Sequence, residues 1–428
     1  MLAGLMSRQI ARLIQQRLAR ASLPVLPLTI QLPARSPIHL GDTSTVTLYV
    51  NNRWSAWRAL LSPTLVNIGE AYIDGALDVA GNIADITDCI MRLSHAVYPE
   101  YRVGRRTSLL ARLLARLLSH TRRRDHEAVQ YHYDISNAFY QLFLDQRMVY
   151  SCAYFRHADD TLDQAQLNKL DYILDKLRLQ AGERFLDVGC GWGGLLIRAA
   201  ERGAYAVGVT LSQQQFEYCQ KLIAEKGLQQ QCEVRLQDYR DMGETNAYDK
   251  IASVGMFEHV GLAQLENYFQ QMQSLLKPQG TILMHGITSN SIENREVGLG
   301  AGEFIDRYVF PDGELPHVSL VLNAMNLAGF EVVDVESLRR HYAQTLTLWS
   351  QRLDAHANRA VELAGEQRYR IWRAYLAGCA YGFSHDWMNV YQLLACKRGQ
   401  LQQYPFPMTR DALYVSSDKT NLVTEHAD

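Results

Sequence analysis

The stretch of this 428-residue chain best suited to chemistry is Phe185-Leu186-Asp187-Val188-Gly189-Cys190-Gly191-Trp192-Gly193-Gly194. A short apolar run ends in closely spaced glycines and enters a helix-compatible segment, which reads as strand, tight turn, helix. Glycine tolerates dihedrals that side chains resist and lets a ligand approach the backbone. Amides at the next helix start can hold the anionic end of a ligand. Such a site lies outside the carboxyl end of a strand in an open α/β sheet.

No Gly-Lys-Ser/Thr follows, which excludes a Walker A loop. The spacing Gly189-x-Gly191-x-Gly193-Gly194 is not the usual dinucleotide fingerprint, and the next strand ends at Thr210 without an adjacent ribose-binding acid. The pattern suits a nucleoside with a short charged tail, and S-adenosyl-L-methionine fits that description. Thr210 and Gln215 can bond ribose hydroxyls, or serve as a helix cap and a surface residue. Asp238 can accept from an exocyclic amine or cap a turn; Tyr239 can pack on a purine or fill the core. Glu258, beside His259 after a fourth strand, is a base, a ligand orienter, an anchor or a helix cap. His285 ends another strand and faces the same crevice. Cys152 is a buried thiol or a donor at the site. No compact metal motif is present.

Elements in alternation must position these residues. Asp163–Leu179 is an amphipathic helix, and strands are expected at Arg184–Val188, Tyr205–Val209, Cys232–Leu236, Tyr248–Val254, Thr281–His285, Phe330–Val335 and Val390–Cys396. Helices fall between them at Ser212–Lys226, Leu262–Leu276 and Leu315–Ala328, and a long helical region covers Thr345–Leu363 and Gln367–Gly378. That order predicts a mostly parallel sheet covered on both faces. Upstream, Ser44–Val50 reads as a strand, Leu65–Val79 as short strands and turns, and residues 5–20, 83–95 and 107–118 as helices. Ser119–Glu127 reads as a linker. The expected division is a small amino-terminal α/β domain at 1–125, a catalytic domain at 126–398 and a polar tail at 399–428.

Composition bounds the answer. The chain is 47 % hydrophobic and 21 % charged with a formal charge of -2, which suits a globular protein and not an overall polyanion binder. Seven scattered cysteines and no long apolar leader predict free thiols in a cytoplasmic protein. No apolar run reaches transmembrane length. Local bias exists: Arg8, Arg12, Arg17, Arg20 and Arg35 precede Leu40 without an acid, and Arg102, Arg105, Arg106, Arg112, Arg116, Arg122, Arg123 and Arg124 form a second basic stretch. Such stretches attract anionic lipid head groups or nucleic acid, or form a solvated face.

Taken together, Tyr150-Ser151-Cys152-Ala153-Tyr154, the glycine stretch, Gly208-Val209-Thr210-Leu211-Ser212 and Gln237-Asp238-Tyr239-Arg240-Asp241 resemble the cyclopropane-fatty-acyl-phospholipid synthase family, mycolic acid cyclopropane synthases included. Gly255-Met256-Phe257-Glu258-His259-Val260, Tyr308-Val309-Phe310-Pro311 and His341-Tyr342-Ala343-Gln344-Thr345-Leu346 extend the match. The resemblance covers roughly 128–398. It implies a class I S-adenosylmethionine-dependent methyltransferase-like sheet, with the cofactor near Tyr150, Ser151, Asp187, Gly189, Gly191, Gly193, Thr210, Gln215, Asp238 and Tyr239. It implies a bicarbonate site of Cys152, Glu258, His285, the Ile287 backbone and Tyr342, with Cys379 at a further matching position.

The implied reaction moves a methylene unit onto the cis double bond of phospholipid acyl chains, and bicarbonate takes the proton whose loss closes the ring. An apolar tunnel would hold the chain, with Phe304, Tyr308 and Phe310 as candidate liners. The resemblance also implies a homodimer held peripherally on the inner face of the membrane through a lipid-engaging amino-terminal domain. C-methylation without ring closure is the alternative. Nucleic acid is not an expected partner: the Asn/Asp-Pro-Pro-Tyr type motif is missing. Ala138, His317 and the insertion around 298–304 depart from the family pattern and bear on which lipid is used.

Overall fold

The computed structural model describes residues 12, 16, 26–33, 37–51, 53–62, 64–97, 136–292, 301–310, 313–398 and 406–411. Two sheets organise them. The first is built from β1 (Leu28–Gln31), β2 (Ile38–His39), β3 (Val46–Val50) and β4 (Leu77–Ala80) in the order β2-β1-β3-β4. Helices Trp54–Leu61, Leu65–Ile73 and Ile83–Val97 accompany it, and Leu28, Ile30, Val46, Leu48, Ala56 and Ile86 share its core.

The second sheet holds β5 (Arg184–Val188), β6 (Tyr205–Thr210), β7 (Cys232–Leu236), β8 (Tyr248–Val254), β9 (Leu276–Ser289), β10 (Phe330–Ser337) and β11 (Met388–Lys397), in the order β10-β11-β9-β8-β5-β6-β7. The five strands from β9 to β7 pair in parallel. β11 slots antiparallel between β9 and β10, so the sheet is mixed at one edge. The chain adds β6 and β7 on one side of β5 and then returns to place β8 on the other side. The crevice at the carboxyl ends of β5 and β8 is therefore the topological switch point, where ligands of such sheets bind.

Leu65–Val79 is not the expected run of short strands. It holds the helix Leu65–Ile73, capped by Thr64, whose side chain accepts from the Asn67 amide, and only then β4. Gly69 reads as punctuation in sequence, but a Cβ there would lie 2.6 Å from the Phe304 ring. The glycine serves close packing within a helix. The helix expected from Thr345 begins six residues earlier, at Arg339, which places Tyr342 in its first turn.

The amino-terminal unit meets the catalytic region at helix Glu366–Ser384. Arg373 Nη1 donates to the Tyr72 hydroxyl at 3.0 Å, and Arg370 Nη1 donates to the Tyr72 carbonyl at 2.9 Å. The helices expected at 5–20 (Arg12 and Gln16 apart) and 107–118, the linker at 119–127 and the boundary at 125/126 lie outside the described residues. So do the arginine-rich stretches, Arg12 apart, residues 298–300 of the insertion, and the tail beyond 398 except 406–411.

Candidate active site

At the end of β5 the backbone turns through Gly189, Gly191 and Gly193 at φ of 77°, 55° and 87°, dihedrals that side chains resist. The Gly189 and Cys190 amides both donate to the Val209 carbonyl at 3.0 Å, tying the turn to β6. Gly193 caps the helix Gly194–Glu201, and a Cβ there would lie 2.9 Å from Cys219 Sγ. A Cβ on Gly191 would meet nothing within 4 Å, so that residue fronts open space. Just before the turn, Asp187 is buried, and its carboxyl is pushed up to about 7 by desolvation against the opposing pull of Lys169 and the Leu196 amide.

The remaining cofactor residues divide by what their polar groups already do. The Thr210 hydroxyl donates to Gln215 Oε1 at 2.8 Å and accepts from the Ser212 amide at 3.2 Å. Its hydrogen-bonding capacity is directed within the loop. The Gln215 side-chain nitrogen takes no part in these two bonds. Asp238 caps the 3-10 turn Tyr239–Asp241 and holds the Arg240 guanidinium at 2.6 Å. Tyr239 packs edge-on against Tyr268 with centroids 5.1 Å apart.

Beyond β8, the short helix Phe257–Val260 carries Glu258. Its Oε1 accepts from the Ile287 amide at 2.6 Å, while Oε2 is buried without a partner. Desolvation pushes this carboxyl up to about 7. With Oε1 held by an N–H, the proton belongs on Oε2. Two residues up the same strand, His285 is 2 % exposed. Its Nδ1 lies 3.2 Å from the Gln392 amide nitrogen. With the Gln392 amide nitrogen on this side, Nδ1 accepts and the ring proton sits on Nε2; among the described residues Nε2 is buried without a partner, as is Gln392 Oε1. Desolvation, helped by Lys169 and Lys176, lowers His285 to about 3, so it is neutral at physiological pH. Glu258 below pH 7 and His285 thus each present one donor with no acceptor among the described residues. His259, by contrast, packs its ring against Phe310.

Cys152 and Tyr342 converge on one carbonyl. The Cys152 thiol donates to the Ala153 carbonyl at 3.2 Å and lies 3.7 Å from the Leu338 oxygen, which accepts the Tyr342 backbone amide as a bond of the helix's first turn. Cys152 is buried, and desolvation raises its thiol far above the ordinary range, so it is a neutral donor and not a nucleophile. Cys379 is likewise pushed up to about 12 by burial. Cys152, Tyr342 and Cys379 share a core with Tyr140, Phe143, Trp192, Trp349 and Trp372, and Tyr150 and Ile287 pack against it. Tyr150 stacks on Trp349 with centroids 5.2 Å apart. Trp192 links the glycine turn to the upstream motif, its indole N–H donating to Asn137 Oδ1 at 2.8 Å.

Sequence reasoning missed Lys169, whose ammonium donates to Ser151 Oγ at 2.9 Å. Lys169, Ile173 and Lys176 recur at helical spacing, but only the structure shows that stripe to be buried. Sequence reasoning missed Gln392 as well, which no local pattern marks.

An apolar cavity of about 130 Å³ opens between the two units, lined by Leu48, Ile68 and Ile86 on one side and Phe304, Tyr375 and Cys379 on the other. Arg373 is the one charged residue among its described liners, and its guanidinium is held by Asp354 at 2.5 Å. Of the three expected chain liners only Phe304 borders this space. Tyr308 packs on Phe304, and Phe310 faces Tyr375.

The sheet order, the switch-point crevice and the glycine cradle define a class I S-adenosylmethionine-dependent methyltransferase. The crystal structure of mycolic acid cyclopropane synthase CmaA1 complexed with SAH and CTAB superposes with a TM-score of 0.60 at 38 % identity, covering 64 % of this chain and 98 % of that one. Residues 120–393 match the family described as mycolic acid cyclopropane synthetase, and the chain belongs to that family. A probable fatty acid methyltransferase of Pseudomonas putida is 45 % identical over 397 residues, 91 % of this chain and 96 % of that protein. Cyclopropane mycolic acid synthase 1 of Mycobacterium tuberculosis (strain ATCC 25618 / H37Rv) is 40 % identical over 278 residues, 63 % of this chain and 96 % of that protein.

Proposed function

We propose that this enzyme converts the cis double bond of phospholipid acyl chains into a cyclopropane ring, with bicarbonate held beside the reacting carbons. The observation that carries the reading is that Glu258 Oε2 and His285 Nε2 are both buried without a partner among the described residues. Buried polar groups ordinarily find partners, and two hydrogen-bond donors without acceptors fit a small oxyanion.

S-adenosylmethionine, when bound, supplies an electrophilic methyl group, and bicarbonate would supply the base for the departing proton. The chain's own residues do the rest. The turn at Gly189–Gly193 and the Gln215 amide hold the nucleoside. Ile287 fixes the Glu258 carboxyl, and Gln392 fixes the His285 ring, so that both donors are oriented before substrate arrives. Neutral His285 cannot repel the positive charge that develops on the chain carbon. The wall of Tyr140, Phe143, Tyr150, Trp349 and Trp372 excludes water that would trap that charge as an alcohol, and ring faces attract a nearby cation. The apolar cavity beyond Tyr375 and Cys379 supports a long hydrocarbon as the substrate.

Association with the membrane surface through the amino-terminal unit, and assembly as a homodimer, belong to the same proposal; the two arginine-rich stretches support the first. Among the described residues no helix is long and apolar enough to cross a membrane.

A second reading, C-methylation without ring closure, is favoured by the name of the Pseudomonas putida relative. Incubation with labelled S-adenosylmethionine and unsaturated phospholipid, followed by ozonolysis of the product, separates the two. A labelled product that resists cleavage is expected. A labelled methyl-branched product that is cleaved as an alkene overturns the cyclopropane assignment.

A further inference from the structure

Lys169 sits in the helix Leu162–Lys176 with 1 % of its surface exposed. Among the described residues its ammonium makes one hydrogen bond, to Ser151 Oγ at 2.9 Å, and no carboxylate lies within ion-pair distance of it. The neighbouring acids are engaged elsewhere. Asp145 accepts from the Arg147 and Val149 amides at 3.0 and 2.8 Å, and Asp187 takes the Leu196 amide at the start of the following helix. A buried ammonium with a single acceptor among the described residues is a costly feature for a fold to keep.

Its location gives it a use. Gln166, one turn away on the same helix, donates to the Ser151 carbonyl at 2.9 Å and fixes the segment that carries Ser151. That segment lies against the cradle: a Cβ on Gly194 would sit 2.8 Å from the Val149 side chain and 3.9 Å from that of Leu170. Because the Ser151 oxygen accepts from Lys169, the hydroxyl hydrogen must point away from the ammonium. Ser151 is thereby set as a donor, backed by a positive charge. Charge-assisted donors of this kind select an anion over a neutral group.

We propose that Lys169 is a positioning residue for the methyl donor, orienting the Ser151 hydroxyl toward the donor's α-carboxylate and supplying the buried charge that balances it. This rests on the cradle being the S-adenosylmethionine site. Lys169 does not touch the transferred methyl; it sets where the amino-acid tail lies and so how the sulfonium is aimed. The ammonium persists at neutral pH, since burial lowers it only to about 8.

The test compares equilibrium binding of S-adenosylmethionine with that of its decarboxylated analogue, without lipid, in the full-length parent and in Lys169→Met and Ser151→Ala. The parent should prefer the carboxylated ligand by about 10- to 100-fold, the scale of a hydrogen bond to a charged group. Each variant should lose most of that preference, mainly by weaker binding of the carboxylated ligand, and the double variant should lose little more. Loss of affinity for both ligands by the same factor would mean that Lys169 only supports the fold and would overturn the assignment. A preference retained in Ser151→Ala overturns it too, even if Lys169→Met does not fold. A parent that binds neither ligand refutes the cofactor site instead.

Discussion

Replacing Glu258 by Gln should make the ligand-free protein more stable in mildly alkaline solution. The carboxyl ionises near 4.5 in an unfolded chain and holds its proton to about 7 in the fold, because burial opposes the charge. Between those values the folded state binds more protons than the unfolded one, so this residue's contribution to stability falls as pH rises through the window and is fully lost above it. A shift of about 2.5 units at about 1.36 kcal/mol per unit is a loss of about 3 kcal/mol. The amide of the variant cannot ionise, and its oxygen can still accept from the Ile287 N–H that Glu258 Oε1 holds at 2.6 Å. Relative to the parent, Glu258→Gln should therefore gain about 2–3 kcal/mol between pH 5 and pH 8. His285 runs the other way: its depressed pKa protects the fold above 6.5 and is a liability as pH falls toward 3. It is present in both proteins and cancels from the difference. Urea unfolding of both chains at the two pH values measures the effect, and a parent–variant offset that does not change with pH refutes the account. The Gln amide nitrogen can still donate where Glu258 Oε2 carries its proton, so Glu258→Gln should keep much of its turnover, whereas Glu258→Ala, which removes the donor, should lower turnover by about 10²-fold with affinity for S-adenosylmethionine little altered; an equal loss of affinity would move Glu258 into the cofactor site.

Two other substitutions probe the cradle and the cavity. Gly193→Ala places a Cβ on a residue at φ 87° and 2.9 Å from Cys219 Sγ, so it should cost about 1–3 kcal/mol of stability and weaken S-adenosylmethionine binding; an unchanged melting temperature contradicts this. Gly378 borders the cavity, and a Cβ there meets nothing within 4 Å. Gly378→Leu should keep or raise the melting temperature, by about 0.5–1 kcal/mol of helix preference, and should lower turnover on long acyl chains more than on short ones. Equal effects across chain lengths would remove the cavity from the substrate path.

What the chain alone determined follows from local rules. β5, β7 and β8 coincide with their sequence readings because short apolar runs bounded by turn residues leave few other solutions. The glycine cradle was legible because its backbone dihedrals admit few other residues; His285, read as the end of its strand, lies four residues inside β9, which runs on to Ser289 because β11 pairs along that extension. Local rules failed where a distant partner decides. Gly69 breaks no helix because Phe304, far along the chain, requires the space a side chain would fill. β11 inserts antiparallel between β9 and β10, and that register alone sets Gln392 opposite His285, 107 residues away, where its amide meets the ring. Lys169 has the composition of a solvated helix residue; only packing shows its ammonium buried against Ser151. The protonation of Glu258 and His285 depends on desolvation, which belongs to the assembled core and to no stretch of sequence. The residues that could do chemistry were written in the chain, and their charge states and the atoms they leave without partners came from tertiary structure.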